Sequence, residues 1–185
     1  MVQESELARS QVPGLPEIDL HSLGTLLFDE GCTYNQLPPD KVHQVGTHTS
    51  FVLHDFPEGA GRWISIHFRE NLQRLSSIGS LVGRVKIFLS ALENDLDLLA
   101  RRLIDDSSLN NVRMIFCLTT LSAAWGRRHG FATVRYSDET QFIRLHDQTI
   151  AGNSFQETDR LQPLTLFLIT PARFIKEFLI EDSPS

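Results

Sequence analysis

The sequence has little of several features that define whole classes of protein. Its 185 residues include only two cysteines, Cys32 and Cys117, which are too few for a disulfide framework or a zinc site. No apolar run approaches the roughly 18 residues that cross a bilayer. The opening stretch, MVQESELARSQVPG, lacks the apolar centre of a secretory signal. These absences predict a cytoplasmic protein with no membrane partner.

Positive charge is also scarce. The chain carries 17 Lys and Arg against 23 Asp and Glu, a formal net charge of -6. A general nucleic-acid binder usually has a basic excess, so no nucleic-acid partner is expected. The motifs GxSxG, Walker A and HExxH are missing. No local motif therefore indicates a serine hydrolase, a nucleotide hydrolase or a zinc protease.

The composition is enough for one domain. Hydrophobic residues make up 41% of the chain, which supplies one sizeable core. Residues 1–17 are polar and hold Pro13, Gly14 and Pro16, which predicts a flexible N-terminal tail. Residues 18–182 are predicted to form a single domain.

Apolar periodicity predicts an α/β domain, with a single mixed, largely antiparallel sheet flanked by helices. The predicted strands are 49–56, 62–68, 81–89, 112–120, 131–136 and 163–170. The first two are predicted to pair as an antiparallel hairpin, and the apolar run 112–120 is predicted to be a buried central strand. Helices are predicted at 19–29, with Gly31 as the stop signal, and along the leucine stripe from Leu89 to Leu103. A short helix that ends at Arg128, a helix at 139–150 and a last helix that starts at Pro171 are also predicted. Residues 33–47 are predicted to be loop, with Cys32 in a loop and Cys117 buried in a strand. Gly130 is expected to adopt a left-handed conformation at a helix end.

One short stretch resembles a known family. In AAWGRRHGFATV, residues 123–134, an alanine-bearing helix ends in Gly130-Phe131 and enters a strand. This resembles the late motif of the Gcn5-related N-acetyltransferase (GNAT) superfamily. The order of elements over residues 50–170 is similar too. The resemblance implies a GNAT-like fold. The helix predicted from Pro171 is an extra C-terminal element added to that fold. It also implies acetyl-CoA or another acyl-CoA as cofactor if the activity is retained.

The chain departs from that family in the cofactor motif. The family carries Q/R-x-x-G-x-G/A between a strand and the long helix. If 81–89 is the strand, the junction is KIFLSALEND, which has no glycine and places Glu93 and Asp95 near the helix start. Acidic side chains there compete with an anion. Gly79 and Gly83 offer a different anion-binding turn. No cofactor is then expected, and the scaffold is predicted to bind a ligand or partner.

Two further family positions differ. The tyrosine that often serves as general acid in the late helix falls, by spacing, on Gly126. The glutamate of the central strand has no counterpart in 81–89.

A histidine pair is the first candidate for catalysis. His54 and His67 are predicted to face each other across the hairpin, on the side opposite Phe51 and Ile66. Asp55 adjoins one of them. Imidazole is the group most often used for proton transfer near neutral pH. The structural alternative is two partly exposed histidines on a sheet surface. No metal ligand set is predicted.

A basic group is the second candidate. Arg127, Arg128 and His129 end the short helix, and Arg84 is a possible fourth member. Arginine forks suit a phosphate or carboxylate ligand. The structural alternative is that these residues complement the helix dipole.

Three functions stay open at this point. The first is a GNAT-like domain that binds a small anionic ligand or a protein partner. The second is a divergent acyl-CoA-dependent N-acyltransferase that uses His54 or His67 as general base. The third is a structural subunit of a larger assembly, with helices 19–29 and 171–180 as partner surfaces. The sequence leaves open whether the protein is an enzyme and what its oligomeric state is.

Overall fold

The structure is a computed structural model that describes residues 20–56, 61–68, 81–119, 121–136 and 164–180. Within these residues the chain forms four α-helices and a six-stranded sheet. The helices are α1 (Leu20–Thr33), α2 (Leu81–Asp105), α3 (Ala123–Arg128) and α4 (Pro171–Phe178). The strands are β1 (Val42–Gln44), β2 (Thr49–Asp55), β3 (Arg62–Phe68), β4 (Val112–Thr119), β5 (Ala132–Tyr136) and β6 (Leu164–Ile169). This is the predicted class, an open mixed sheet flanked by helices.

The sheet has the order β1-β2-β3-β4-β6-β5. Its neighbouring strands run antiparallel except β3 and β4, which run parallel. A parallel pair needs a long crossover, and α2 lies in the connection between these two strands. The predicted hairpin of β2 and β3 is confirmed, and so is the prediction that the apolar run of β4 forms a central strand.

Helices α2 and α4 cover one face of the sheet with apolar side chains. The leucine stripe of α2 is fully buried at Leu92, Leu96 and Leu99. Phe174 and Phe178 of α4 join the same cluster. These stripes follow the helical period, which puts every third or fourth residue on one side. These two phenylalanines of α4 therefore pack against the sheet of their own chain, whereas Ile180, beyond the helix, is 56% exposed.

Helix α1 covers the opposite face with a smaller cluster. Leu23 and Leu27 pack with Trp63 of β3, Phe116 of β4 and Leu166 of β6. These two leucines of α1 are therefore covered by the sheet of its own chain, whereas Leu26 is 45% exposed.

The structure of residues 81–89 differs from the prediction. They form the first part of α2, so the strand prediction for this segment was wrong. The helical stripe continues upstream, because buried Phe88 stands four residues before Leu92. Helix α2 has no acidic residue in its first turn. The junction between strand and long helix therefore follows β3, and the acidic helix start inferred at 86–95 was wrong.

Smaller corrections concern the N-terminal part. Helix α1 continues past Gly31 to Thr33, so Cys32 lies in its last turn and not in a loop. The predicted loop also holds a short edge strand, β1, which pairs with β2. The predicted tail 1–17 and the predicted helix 139–150 lie outside the described residues.

The predicted helix ends near α3 are confirmed. Ser122 caps α3, and its side chain accepts a hydrogen bond from Trp125 N at 3.2 Å. Gly130 has φ +76°, a conformation that costs other residues a steric penalty. Cys117 is buried in β4 as predicted, and burial raises the pKa of its thiol. No helix in the described ranges is long and apolar enough to cross a membrane.

Candidate functional site

The parallel strands β3 and β4 stop pairing before either strand ends. Their register runs from Arg62 opposite Val112 to Ser65 opposite Phe116. Residues 66–68 of β3 remain paired with β2, and residues 117–119 of β4 remain paired with β6. In the described part of the chain, the inner edges of these two segments form no ladder with each other. Among the described residues, the inner edges at the carboxyl ends of β3 and β4 therefore have no ladder partner.

A buried carboxylate lies beside this point, on the face covered by α1. Glu30 of α1 is 9% exposed. His67 Nε2 lies 2.6 Å from Glu30 Oε1, and His54 Nε2 lies 2.7 Å from Glu30 Oε2. Ser65 Oγ donates to Glu30 Oε1 as well. We name Glu30, His54, Ser65 and His67 the Glu30 cluster.

The strands explain why the two histidines meet. In β3, Ser65 and His67 point to the same face, because alternate residues of a strand share a face. His54 of β2 is opposite Trp63, and Ser50 of β2 is opposite His67. The rings therefore flank Ser65, whose Oγ lies 3.1 Å from His54 Nε2 and 3.3 Å from His67 Nε2. The structure brings His54 and His67 together on the face opposite Phe51 and Ile66.

The Glu30 carboxylate is held in its ionised form. Burial alone raises its pKa, since desolvation disfavours the charge. Hydrogen bonds from His54, His67 and Ser65 outweigh that effect and lower the pKa from 4.5 to about 2. The cluster thus has an acceptor that stays charged at any physiological pH.

Aromatic rings pack against both imidazoles of the Glu30 cluster. The His54 ring stacks on Trp63, with centroids 3.9 Å apart and planes at 13°. The His67 ring contacts Tyr34, with centroids 4.7 Å apart. The Tyr34 hydroxyl is hydrogen-bonded to Ser50, the residue opposite His67. Neither imidazole is therefore a loose surface side chain.

The cluster has the chemistry of a proton-transfer site. Across the described ranges, no group of three His, Cys, Asp or Glu side chains has a geometry that can hold a metal ion. Ser65 is fully buried and gives its hydrogen to Glu30, so its oxygen is not placed as a nucleophile. What the arrangement offers is a pair of imidazoles oriented by one carboxylate.

The basic group does not join this cluster. Arg127 and Arg128 are exposed, and the Arg127 guanidinium donates to Thr133 Oγ1 at 3.3 Å. His129 Nε2 lies 3.6 Å from Glu93 Oε1, and its ring stacks on Phe178. Arg84 lies in the first part of α2.

The acidic residues singled out near 86–95 have structural partners. Asp95 is buried and accepts hydrogen bonds from His48 N at 2.6 Å and Thr47 N at 3.2 Å. It therefore fixes the turn between β1 and β2 against α2. Gly126, where the family tyrosine falls by spacing, packs on Phe167. A Cβ there would lie 2.7 Å from Phe167 Cζ, so a tyrosine does not fit.

Glu30 was missed by the reasoning from sequence, although the sequence holds a signal for it. Leu23, Leu27 and Glu30 continue one helical stripe with steps of four and three residues. An acid on the buried side of a helix needs a partner. The predicted histidine pair on the facing strands supplies that partner.

Comparison with known proteins adds no assignment. No family model matches the sequence, and no curated protein matches it either.

Proposed function

We propose that this chain is a GNAT-like, divergent acyl-CoA-dependent N-acyltransferase. The observation that carries the proposal is the Glu30 cluster beside the point where β3 and β4 stop pairing. The missing phosphate loop, the acidic helix start and the missing strand glutamate were all inferred from a strand at 81–89, which belongs to α2. Those three objections to acyl-CoA binding no longer hold, whereas Gly126 still occupies the position of the family tyrosine.

With 81–89 in a helix, the segment that would bind the cofactor's phosphates is a different part of the sequence. The family pattern Q/R-x-x-G-x-G/A belongs between a strand and the long helix, and here that interval is 69–80. It contains Arg74-x-x-Ser77-x-Gly79, with serine in place of the first glycine. This interval lies outside the described residues and supports the proposal only by its sequence. It precedes the 25-residue helix α2, and the N-terminus of a long helix favours anions.

The unpaired strand edges suit the arm of the cofactor. Exposed edges bind extended chains through main-chain hydrogen bonds. The pantetheine arm of CoA is an extended chain that carries secondary amides, so it offers the matching donors and acceptors. An arm between residues 66–68 and 117–119 would place its thioester beside His67.

The chemistry assigned to the histidine pair is proton removal from an amine. The amine nitrogen attacks the thioester carbonyl, a carbon–nitrogen bond forms and the carbon–sulfur bond breaks. The sulfur leaves with the electron pair. An imidazole takes the nitrogen's proton and returns it to the thiolate, which gives free CoA and an amide. A positioned general base contributes about 10²–10⁴-fold to such a step.

Calorimetric titration with acetyl-CoA and free CoA tests the proposal first. We expect micromolar dissociation constants for both. CoA release from acetyl-CoA in the presence of a panel of primary amines then tests the chemistry. His67→Gln is expected to lower that rate by at least about 100-fold while leaving acetyl-CoA affinity within a few-fold.

His129→Gln is the matched control, because His129 also pairs with a glutamate but packs against α4. It should leave the rate unchanged. Absence of binding at millimolar acetyl-CoA would refute the acyltransferase proposal. The function would then be the binding of another ligand or a partner.

A further inference from the structure

We propose that Glu30 is a positioning residue that fixes the same tautomer in both imidazoles. His67 Nδ1 is then the general base, and His54 holds the second oxygen of Glu30 in place. This inference depends on the proposed function for the identity of the reaction. The tautomers themselves do not depend on it.

The tautomers follow from the hydrogen bonds. An ionised carboxylate only accepts hydrogen bonds. Each Nε2 faces one oxygen of Glu30, at 2.6 Å for His67 and 2.7 Å for His54. Both Nε2 atoms therefore carry hydrogen, and in each neutral ring the lone pair sits on Nδ1. A base made this way takes its proton at the nitrogen that points away from Glu30.

The two rings differ in where they stand. His67 is on β3 beyond Ser65, the last residue paired with β4, so it borders the unpaired edges. His54 is on β2, opposite Trp63, which is in the paired part of β3. Its ring lies flat against Trp63 at 3.9 Å. His67 is thus the ring next to the proposed thioester, and His54 holds the second oxygen of Glu30.

Glu30 also stabilises the positive charge that His67 acquires when it takes a proton. When His67 Nδ1 takes a proton from the amine, the ring becomes an imidazolium whose Nε2–H already points at Glu30 Oε1. The negative carboxylate stabilises that cation at short range. The proton leaves Nδ1 again when the thiolate of CoA accepts it, so the ring ends in its starting tautomer.

Nitrogen-15 NMR of the histidine rings in the full-length protein tests this inference without any substrate. Signals are assigned with His54→Gln and His67→Gln. We expect both rings as the Nε2–H tautomer at a pH where they are neutral. Glu30→Gln keeps the size of the side chain but replaces one acceptor oxygen by a donor, so at least one ring should lose that tautomer. His129 serves as the internal reference and should not change.

An Nδ1–H tautomer for His67 in the unmodified protein would overturn the inference, and so would a Glu30→Gln spectrum with both rings unchanged. With acetyl-CoA and an amine, His54→Gln should lower the rate less than His67→Gln; an equal or larger loss would overturn the division of roles. If the unmodified protein binds no acetyl-CoA, the proposed function fails, while the NMR result still decides what Glu30 does.

Discussion

The two faces of the sheet differ in the kind of side chain that they bury. On the face under α2 and α4, the buried cluster consists of apolar side chains such as Leu96 and Phe174. On the face under α1, a smaller apolar cluster shares its space with Glu30 and its hydrogen-bonded partners. Burying a charge is costly unless it is paired, and here the contacts of Glu30 with His54, His67 and Ser65 offset that cost. Under the proposed function, this contrast places stability mainly on one face and chemistry on the other.

The largest expected effect comes from opening a cavity on the apolar face. Leu96→Ala removes a fully buried side chain from α2 and should lower the free energy of unfolding by about 2–5 kcal/mol. Leu98→Ala is the matched control, because Leu98 is 47% exposed on the same helix, and it should change stability by less than about 0.5 kcal/mol. Urea unfolding measures both. Equal effects for the two variants would contradict the buried position of Leu96.

A smaller effect is expected from acid on the polar face. The pKa of Glu30 is about 2 in the folded chain against 4.5 ordinarily, so its ionised form contributes stability above pH 4.5. That contribution is lost as the pH falls from 4.5 towards 2, and it amounts to at most about 3 kcal/mol. Urea unfolding of the unmodified protein and of Glu30→Gln should therefore differ most at pH 5 and less at pH 3. A constant difference would show that the charge of Glu30 is not stabilised by folding.

The smallest effect is expected at the surface end of α3. Arg127 is exposed and its guanidinium contacts Thr133, so Arg127→Ala should change the free energy of unfolding by less than about 0.5 kcal/mol. Acetyl-CoA affinity, measured by calorimetry, should stay the same. A tenfold weaker affinity would instead support the anion-binding role that the sequence predicts for this group.

Much of the fold was predictable because its elements have clear periods. The hairpin of β2 and β3, the leucine stripe of α2 and the apolar run of β4 were placed from their patterns. The error at 81–89 arose because LVGRVKIFL is short and rich in valine and isoleucine, which suits a strand as well as a buried helix. Only its continuity with Leu92 distinguishes the two. The short edge strand β1 has too few residues to show any period.

The site was predictable only in part. Alternation along β2 and β3 puts His54 and His67 on one face, as the sequence indicated. Their common partner comes from α1, and no local pattern relates a helix to strands so far along the chain. The end of the β3–β4 ladder is equally hidden, because both strands continue with ordinary strand residues.

The position of Glu30 on α1 has a consequence for dynamics. The hairpin alone carries both histidines without the carboxylate that orients them, so the oriented pair exists only while α1 is docked. Partial opening of this helix would cost the contacts of Leu23 and Leu27 but leave the cluster under α2 intact. If the proposed function holds, only the molecules with α1 docked would then be ready to react. Amide hydrogen exchange in α1 would measure the free energy of that opening directly.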